Sequence, residues 1–162
     1  MKHTSVRPTD CIEKIIQTYG NMLFRLCLIT LGNVSDAEDA VQETLITYLQ
    51  KAPEFENAEH EKAWLLIVAT NKCKDMLRFK SRHPVVDIDA IKEFTKEETD
   101  GDILDALMTL PDKFRTVLVL YYVEEYSIED IASVIGRTTS AVKMRLQKGR
   151  RLLREAYRKE YM

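Results

Sequence analysis

The stretch from Tyr126 to Leu153 leaves the chain few folding options. Ser127 with Asp130 reads as a capping box, so a helix opens there. Ile131, Val134 and Ile135 give that helix an apolar face, and Ala132 is small where a second helix must cross closely. Gly136 sits where the chain has to turn without a side-chain clash. Thr138 can cap the second helix, whose Val142, Leu146 and Leu153 fall on one side. The pattern is a helix-turn-helix, with its second helix placed to enter a major groove.

Charge follows the same pattern. From Arg137 to Lys159 there are nine basic residues against one acid, Glu155. A solvated basic face on a structural helix pair accounts for the charge alone. The cap, the small residue, the glycine turn and the helical spacing together point to nucleic acid. The net charge of −2 hides this end. Residues 81–110 carry three basic and eight acidic side chains, and residues 111–162 carry eleven and seven. Such asymmetry suggests two modules on an acidic connection.

Upstream, the helical period runs through Ile12, Ile15, Ile16, Tyr19, Leu23, Leu26 and Thr30, so Thr9 to Leu31 is read as a helix stopped by Gly32-Asn33. Ser35 with Glu38 is read as opening a second helix. Its buried stripe is Ala37, Ala40, Val41, Leu45, Tyr48 and Leu49, and its other side carries Asp39, Gln42, Glu43, Ile46 and Gln50. Pro53 closes it and a polar loop, Glu54 to Glu61, follows. A third helix spans Lys62 to Lys80, with Trp64, Leu65, Val68, Ala69, Cys73, Met76 and Leu77 recurring at helical intervals. Trp64 fits either the core or a stacking platform for an unpaired base. Ser81 to Asp100 reads as a linker holding a short helix near Ile88 to Phe94. Ile103, Leu104, Leu107 and Leu110 begin the second module. Pro111 starts a helix with Phe114, Val117, Leu118 and Tyr121 as core candidates. No stretch alternates with period two, so the fold class is all-α. Cys11, Cys27 and Cys73 form no CxxC or Cys/His cluster, which leaves no zinc site and fits a reducing, cytoplasmic setting.

The block Asp36-Ala37-Glu38-Asp39-Ala40-Val41-Gln42-Glu43-Thr44 resembles the DAEDxxQE signature of bacterial RNA polymerase sigma factors of the extracytoplasmic-function (ECF) group. Ala63-Trp64-Leu65 with Ala69, Asn71, Asp75, Leu77 and Arg78 resembles the next part of that family's first domain. Leu110-Pro111, Val117-Leu118, Ser127 to Ala132 and Val142 to Leu146 resemble its second. The resemblance implies two small helical domains, 8–80 and 102–160, on a flexible acidic linker, 81–101. It implies a non-enzymatic promoter-specificity subunit with no catalytic residues, metal, cofactor or small-molecule substrate. Its partners would be core RNA polymerase, through the β′ clamp helices and β flap, double-stranded −35 and melted −10 promoter DNA, and an anti-sigma factor.

By position, the resemblance puts polymerase docking on Asp39, Gln42 and Glu43. It puts −10 DNA on Trp64, Asn71, Lys74 and Arg78, with the loop Phe55 to Glu61 capturing a flipped base. Thr139, Ser140, Lys143, Met144 and Gln147 would read −35 bases, while Arg137, Arg145, Lys148, Arg150 and Arg151 hold phosphates. The chain departs from the pattern at Thr70, where many members carry a basic residue, and at Gly149, where alanine is common. Its −10 loop is unusually acidic, with Glu54, Glu56, Glu59 and Glu61. The rival from the residues alone is a stand-alone, dimeric helix-turn-helix regulator, which would read two half-sites.

Overall fold

A computed structural model describes residues 8–79, 86–96 and 100–161. These hold eight helices and no strand. The first, α1 (Pro8–Leu31), buries Ile15, Tyr19, Leu23 and Leu26 as its period requires, but Ile16 points outward. It stops at Gly32, whose φ of +88° is costly for any residue with a Cβ.

The second helix, α2 (Val34–Lys51), starts at an Asn33 cap and not at Ser35. The Asn33 side-chain oxygen accepts from the Asp36 N–H at 2.9 Å, and its amide donates back to the Asp36 carboxylate at 2.9 Å. This reciprocal pair takes the role expected of Ser35 and Glu38, and both of those residues are exposed. Leu49, expected in the buried stripe, lies half-exposed at the end of α2. The third helix, α3 (Ala58–Phe79), begins four residues before the expected Lys62. Asn57 caps it by accepting from the His60 N–H at 2.8 Å, so the last residues of the expected loop form a polar first turn.

A short helix, α4 (Ile88–Thr95), lies where a helix inside the connecting segment is expected. It buries Ile91 fully and sets Phe94 edge-on to Phe24 of α1, ring centroids 4.8 Å apart. The flanking positions 80–85 and 97–99 lie outside the described residues.

The second half comprises α5 (Gly101–Leu107), α6 (Asp112–Tyr122), α7 (Ile128–Ile135) and α8 (Thr139–Tyr161). Asp100 caps α5, accepting from the N–H groups of Asp102 and Ile103. Leu104, Leu107 and Leu110 are buried, whereas Ile103 of the expected core is 42% exposed. Phe114, Val117 and Leu118 are buried on α6 as expected, and Tyr121 is half-buried.

The halves are packed on each other and share one continuous core. Helix α6 lies on α1, and α7 lies on α3. The α1 carboxyl end has no basic residue in its last turn to satisfy its free carbonyls. Arg115, reaching across from α6, donates to Ile29 O at 2.8 Å and Thr30 O at 2.6 Å, and to Leu110 O of its own half at 2.5 Å. Thr30 and Thr116 hydroxyls meet at 3.1 Å, and Arg25 pairs with Glu124 at 2.6 Å with both side chains largely buried. No helix among the described residues is long and apolar enough to cross a membrane.

Candidate nucleic-acid and polymerase interfaces

The helix-turn-helix is built from the caps read in the sequence. The Ser127 hydroxyl accepts from the Asp130 N–H at 3.1 Å, and Gly136 ends α7 in the left-handed region at φ +69°. The Thr138 hydroxyl accepts from the Ala141 N–H at 3.1 Å and opens α8. Val142 and Leu146 are fully buried, which fixes the roll of α8 about its axis. That roll leaves Thr139, Ser140, Lys143, Met144 and Gln147 exposed together, with Met144 70% exposed. An exposed methionine offers an apolar contact of the kind that suits a thymine methyl.

The basic residues around this face separate into two sets. Arg145, Lys148, Arg151 and Arg154 line a concavity of about 550 Å³ with Lys113, Phe114, Met144 and Gln147. Lys113, on the first turn of α6, was not singled out in the sequence because it stands outside the helix-turn-helix; only the fold brings it beside α8. Lys113 and Lys148 ammonium groups both lie over the Phe114 ring, 5.2 and 5.6 Å from its centroid. Arg150 is turned elsewhere. It donates to the Tyr122 hydroxyl at 3.1 Å and lines a largely apolar groove of about 520 Å³ with Ile103, Leu107, Leu118, Leu153 and Arg154. Arg137 is exposed on the turn itself.

Gly149 is explained by the crossing of α8 over α6. A Cβ there would lie 3.3 Å from Leu118 Cδ1 and 3.5 Å from Phe114 Cβ. Its lower helix propensity of about 1 kcal/mol is accepted for a close approach of the two helices.

On the first half, Asp39, Gln42 and Glu43 are all exposed on one side of α2, while Ala37, Ala40 and Thr44 are buried on the other. Positions i, i+3 and i+4 share one helical face and so present their oxygens together. Ile46 and Leu49, each about half exposed, continue this side toward the carboxyl end of α2.

Trp64 is half-buried. Its ring lies edge-on to Tyr48 at 6.0 Å and to Phe55 at 5.8 Å, and Phe55 also meets His60 at 5.2 Å. The aromatic group is braced by the Tyr48 hydroxyl donating to Glu61 at 2.8 Å. Burial, then Glu61, raises the Tyr48 pKa, so the phenol stays protonated and keeps donating. Asn71 and Arg78 are exposed on α3, and Arg78 lies 3.8 Å from Asp75. Lys74 differs: its ammonium donates to the Ile135 carbonyl of the helix-turn-helix at 2.7 Å. Burial, then Arg137, Arg145 and Arg78, lowers its pKa, so cations from both halves converge there. Cys27 and Cys73 are buried, and Cys11 is half-buried; all three are free thiols. Among the described residues no group of His, Cys, Asp or Glu has metal-site geometry.

Comparison with known proteins bears on both halves. The sigma-70 region 2 family model matches residues 15–83, and the sigma-70 region 4 model matches residues 100–153. RNA polymerase sigma factor SigV of Bacillus subtilis is 30% identical, over 85% of this chain and 85% of its own. ECF RNA polymerase sigma factor EcfG of Rhodopseudomonas palustris is 30% identical, over 88% of this chain and 82% of its own. The sigma factor RpoE of Bartonella quintana, co-crystallised with the anti-sigma factor NepR, superposes with a TM-score of 0.70. That match covers 93% of this chain and 98% of the other at 21% identity, a likeness of fold.

Proposed function

The chain belongs to the ECF group of sigma-70 factors, and from that premise we propose how its residues divide the work of promoter-directed transcription initiation. It acts with core RNA polymerase and promoter DNA, and no feature favours a stand-alone regulator.

The exposed carboxylate and amide oxygens of Asp39, Gln42 and Glu43 form the surface for the β′ clamp helices, where arginines of a partner helix can meet them. Helix α3 holds the melted −10 strand through Asn71, Lys74 and Arg78, with Trp64 and Phe55 beside it as ring surfaces for an unstacked base. On α8, Thr139, Ser140, Lys143, Met144 and Gln147 read −35 bases. Arg137, Arg145, Lys148 and Arg151, extended by Lys113 and Arg154, hold phosphates. Arg150, engaged with Tyr122 in the apolar groove, has the smallest share in DNA binding. We assign the β flap to this largely apolar groove. The protein works by binding and carries out no bond chemistry of its own. Its family's partner polymerase lies in the cytoplasm, which is where we place it.

The observation that carries this reading is the exposed face of α8. The buried Val142 and Leu146 hold α8 so that five side chains able to contact bases project on one side, with a basic concavity beside them. Transcription of a randomised promoter library by the reconstituted holoenzyme tests it. Start sites should fall at a fixed distance from enriched −35 and −10 sequences. Random start sites would overturn it.

A further inference from the structure

We propose that His60 is the positioning residue of the loop between α2 and α3: it does not meet DNA itself but fixes the loop in the shape that receives an unstacked −10 base. The inference rests on the reading above, in which Phe55 and its loop offer a surface to that base.

The loop needs an internal hold. Glu54, Glu56 and Glu59 are all exposed, so charge pushes this segment away from a phosphate strand and cannot set its shape against one. Its backbone is also short of partners, because α2 ends at Lys51, α3 begins at Ala58, and the N–H groups between them stand outside both helix ladders. His60 supplies one partner: its Nδ1 accepts from the Glu56 N–H at 3.1 Å. Nδ1 can accept only without a proton, so the hydrogen of the ring is on Nε2. The bond belongs to a reciprocal cap. Asn57 accepts from the His60 N–H at 2.8 Å, while the His60 ring reaches back past Asn57 to the residue before it. In the usual reciprocal cap a glutamate or glutamine at this third position turns back to the N–H of the cap residue itself. Here a ring does so one residue further out, which fastens the loop to the helix.

The same imidazole also holds Phe55. The two rings lie 5.2 Å apart and nearly perpendicular, at 88°. Phe55 is stacked on Tyr48 of α2 at 6.2 Å and lies edge-on to Trp64 at 5.8 Å. His60 thus fixes both the Phe55 ring and the peptide that follows it. Phe55 and Asn57, on either side of Glu56, line a cavity of about 530 Å³ with Tyr19, Tyr48, Ala58 and Glu61. A shift of the Glu56 peptide therefore moves two walls of that cavity and the ring surface offered to the base. His60 is exposed, so its effect falls on the shape of the loop and not on the core.

Transcription of the randomised promoter library by holoenzymes carrying His60→Ala, His60→Asn or His60→Phe tests this. Asn places an acceptor oxygen the same number of bonds from the backbone as Nδ1, whereas Phe keeps a ring and loses the acceptor. A hydrogen bond of ordinary strength biases a loop about fivefold toward one shape. His60→Ala and His60→Phe should therefore cut base preference at one −10 position about fivefold. His60→Asn should restore most of it, and −35 preference and co-purification with core polymerase should match wild type in all three. The Glu56 amide gives a readout independent of DNA. Its hydrogen exchange, followed by NMR on the full chain, should quicken about fivefold in His60→Ala and His60→Phe and recover in His60→Asn. Unchanged −10 preference in His60→Ala, no recovery in His60→Asn, or an equal loss of −35 preference would each overturn the proposal. Phe55→Ala separates the two levels. If it removes the −10 preference and His60→Ala does not, His60 is not the positioning residue; if neither does, base capture by the loop is itself wrong.

Discussion

Arg115 gives the sharpest test of how the halves are joined. Its guanidinium donates to three carbonyls, Ile29 O, Thr30 O and Leu110 O, and the side chain is almost wholly buried. Arg115→Met keeps much of the volume and removes every donor. A hydrogen bond from a charged donor contributes about 1.5–3 kcal/mol, and a buried acceptor left alone costs about 1–3 kcal/mol. Burial opposes the charge, as its lowered pKa shows, so relief from desolvation returns part of the loss. The balance is a destabilisation of about 3 kcal/mol, a large part of the roughly 5–15 kcal/mol that holds a typical domain. In a chain of this size that corresponds to a fall in Tm of about 6–12 °C. Arg115→Lys should lie between, because one ammonium cannot span three carbonyls as a planar fork does. Scanning calorimetry of wild type and both variants supplies the numbers. A loss below about 1 kcal/mol for Arg115→Met would refute the reasoning, since it would mean that the α1 end does not depend on the second half.

The other expectations concern the interfaces. Changing Asp39, Gln42 and Glu43 together to Ala should abolish co-purification with core polymerase, yet move stability by no more than about 0.5 kcal/mol per site, because all three are exposed. Lys143→Ala or Gln147→Ala should relax preference at one or two −35 positions in the promoter library, losing about 1–3 kcal/mol of discrimination each. Lys148→Ala should lower binding to all promoters alike and reduce the salt slope by about 1, a split that a common response of all three variants would contradict. Trp64→Ala should cost up to about 3 kcal/mol in chemical denaturation, the low end for a half-buried ring between Tyr48 and Phe55. Unchanged stability with open-complex formation lost, seen by permanganate reactivity, would make that ring a stacking surface alone.

The helix-turn-helix was legible because each of its caps is local. Ser127, Gly136 and Thr138 act on groups within five residues of themselves. The start of α2 lies two residues before the expected Ser35 cap: Asn33, read only as part of the stop of α1, caps it through the reciprocal bond with Asp36. The α3 start was missed because a turn reading Ala-Glu-His-Glu buries little and so shows no period. Ile16, Leu49 and Ile103 follow the helical period yet lie at the edges of their packed stripes. The joining of the halves was not legible at all. It rests on a buried arginine inside the run Phe114–Leu120 and on a threonine pair 86 residues apart in sequence, and periodicity reports neither. Gly149 could be seen as a departure, but only the crossing of α8 on α6 supplies its reason.

The most direct measurement of the central claim is multi-round transcription from a mixed promoter template, by core polymerase with and without the purified chain, with start sites mapped. Core alone should give no specific starts; with the chain, starts should fall downstream of a shared −35 and −10 pair whose −35 preference shifts in Lys143→Ala or Gln147→Ala. Specific DNA binding by a homodimer without core, together with unchanged start sites when the chain is added, would contradict it.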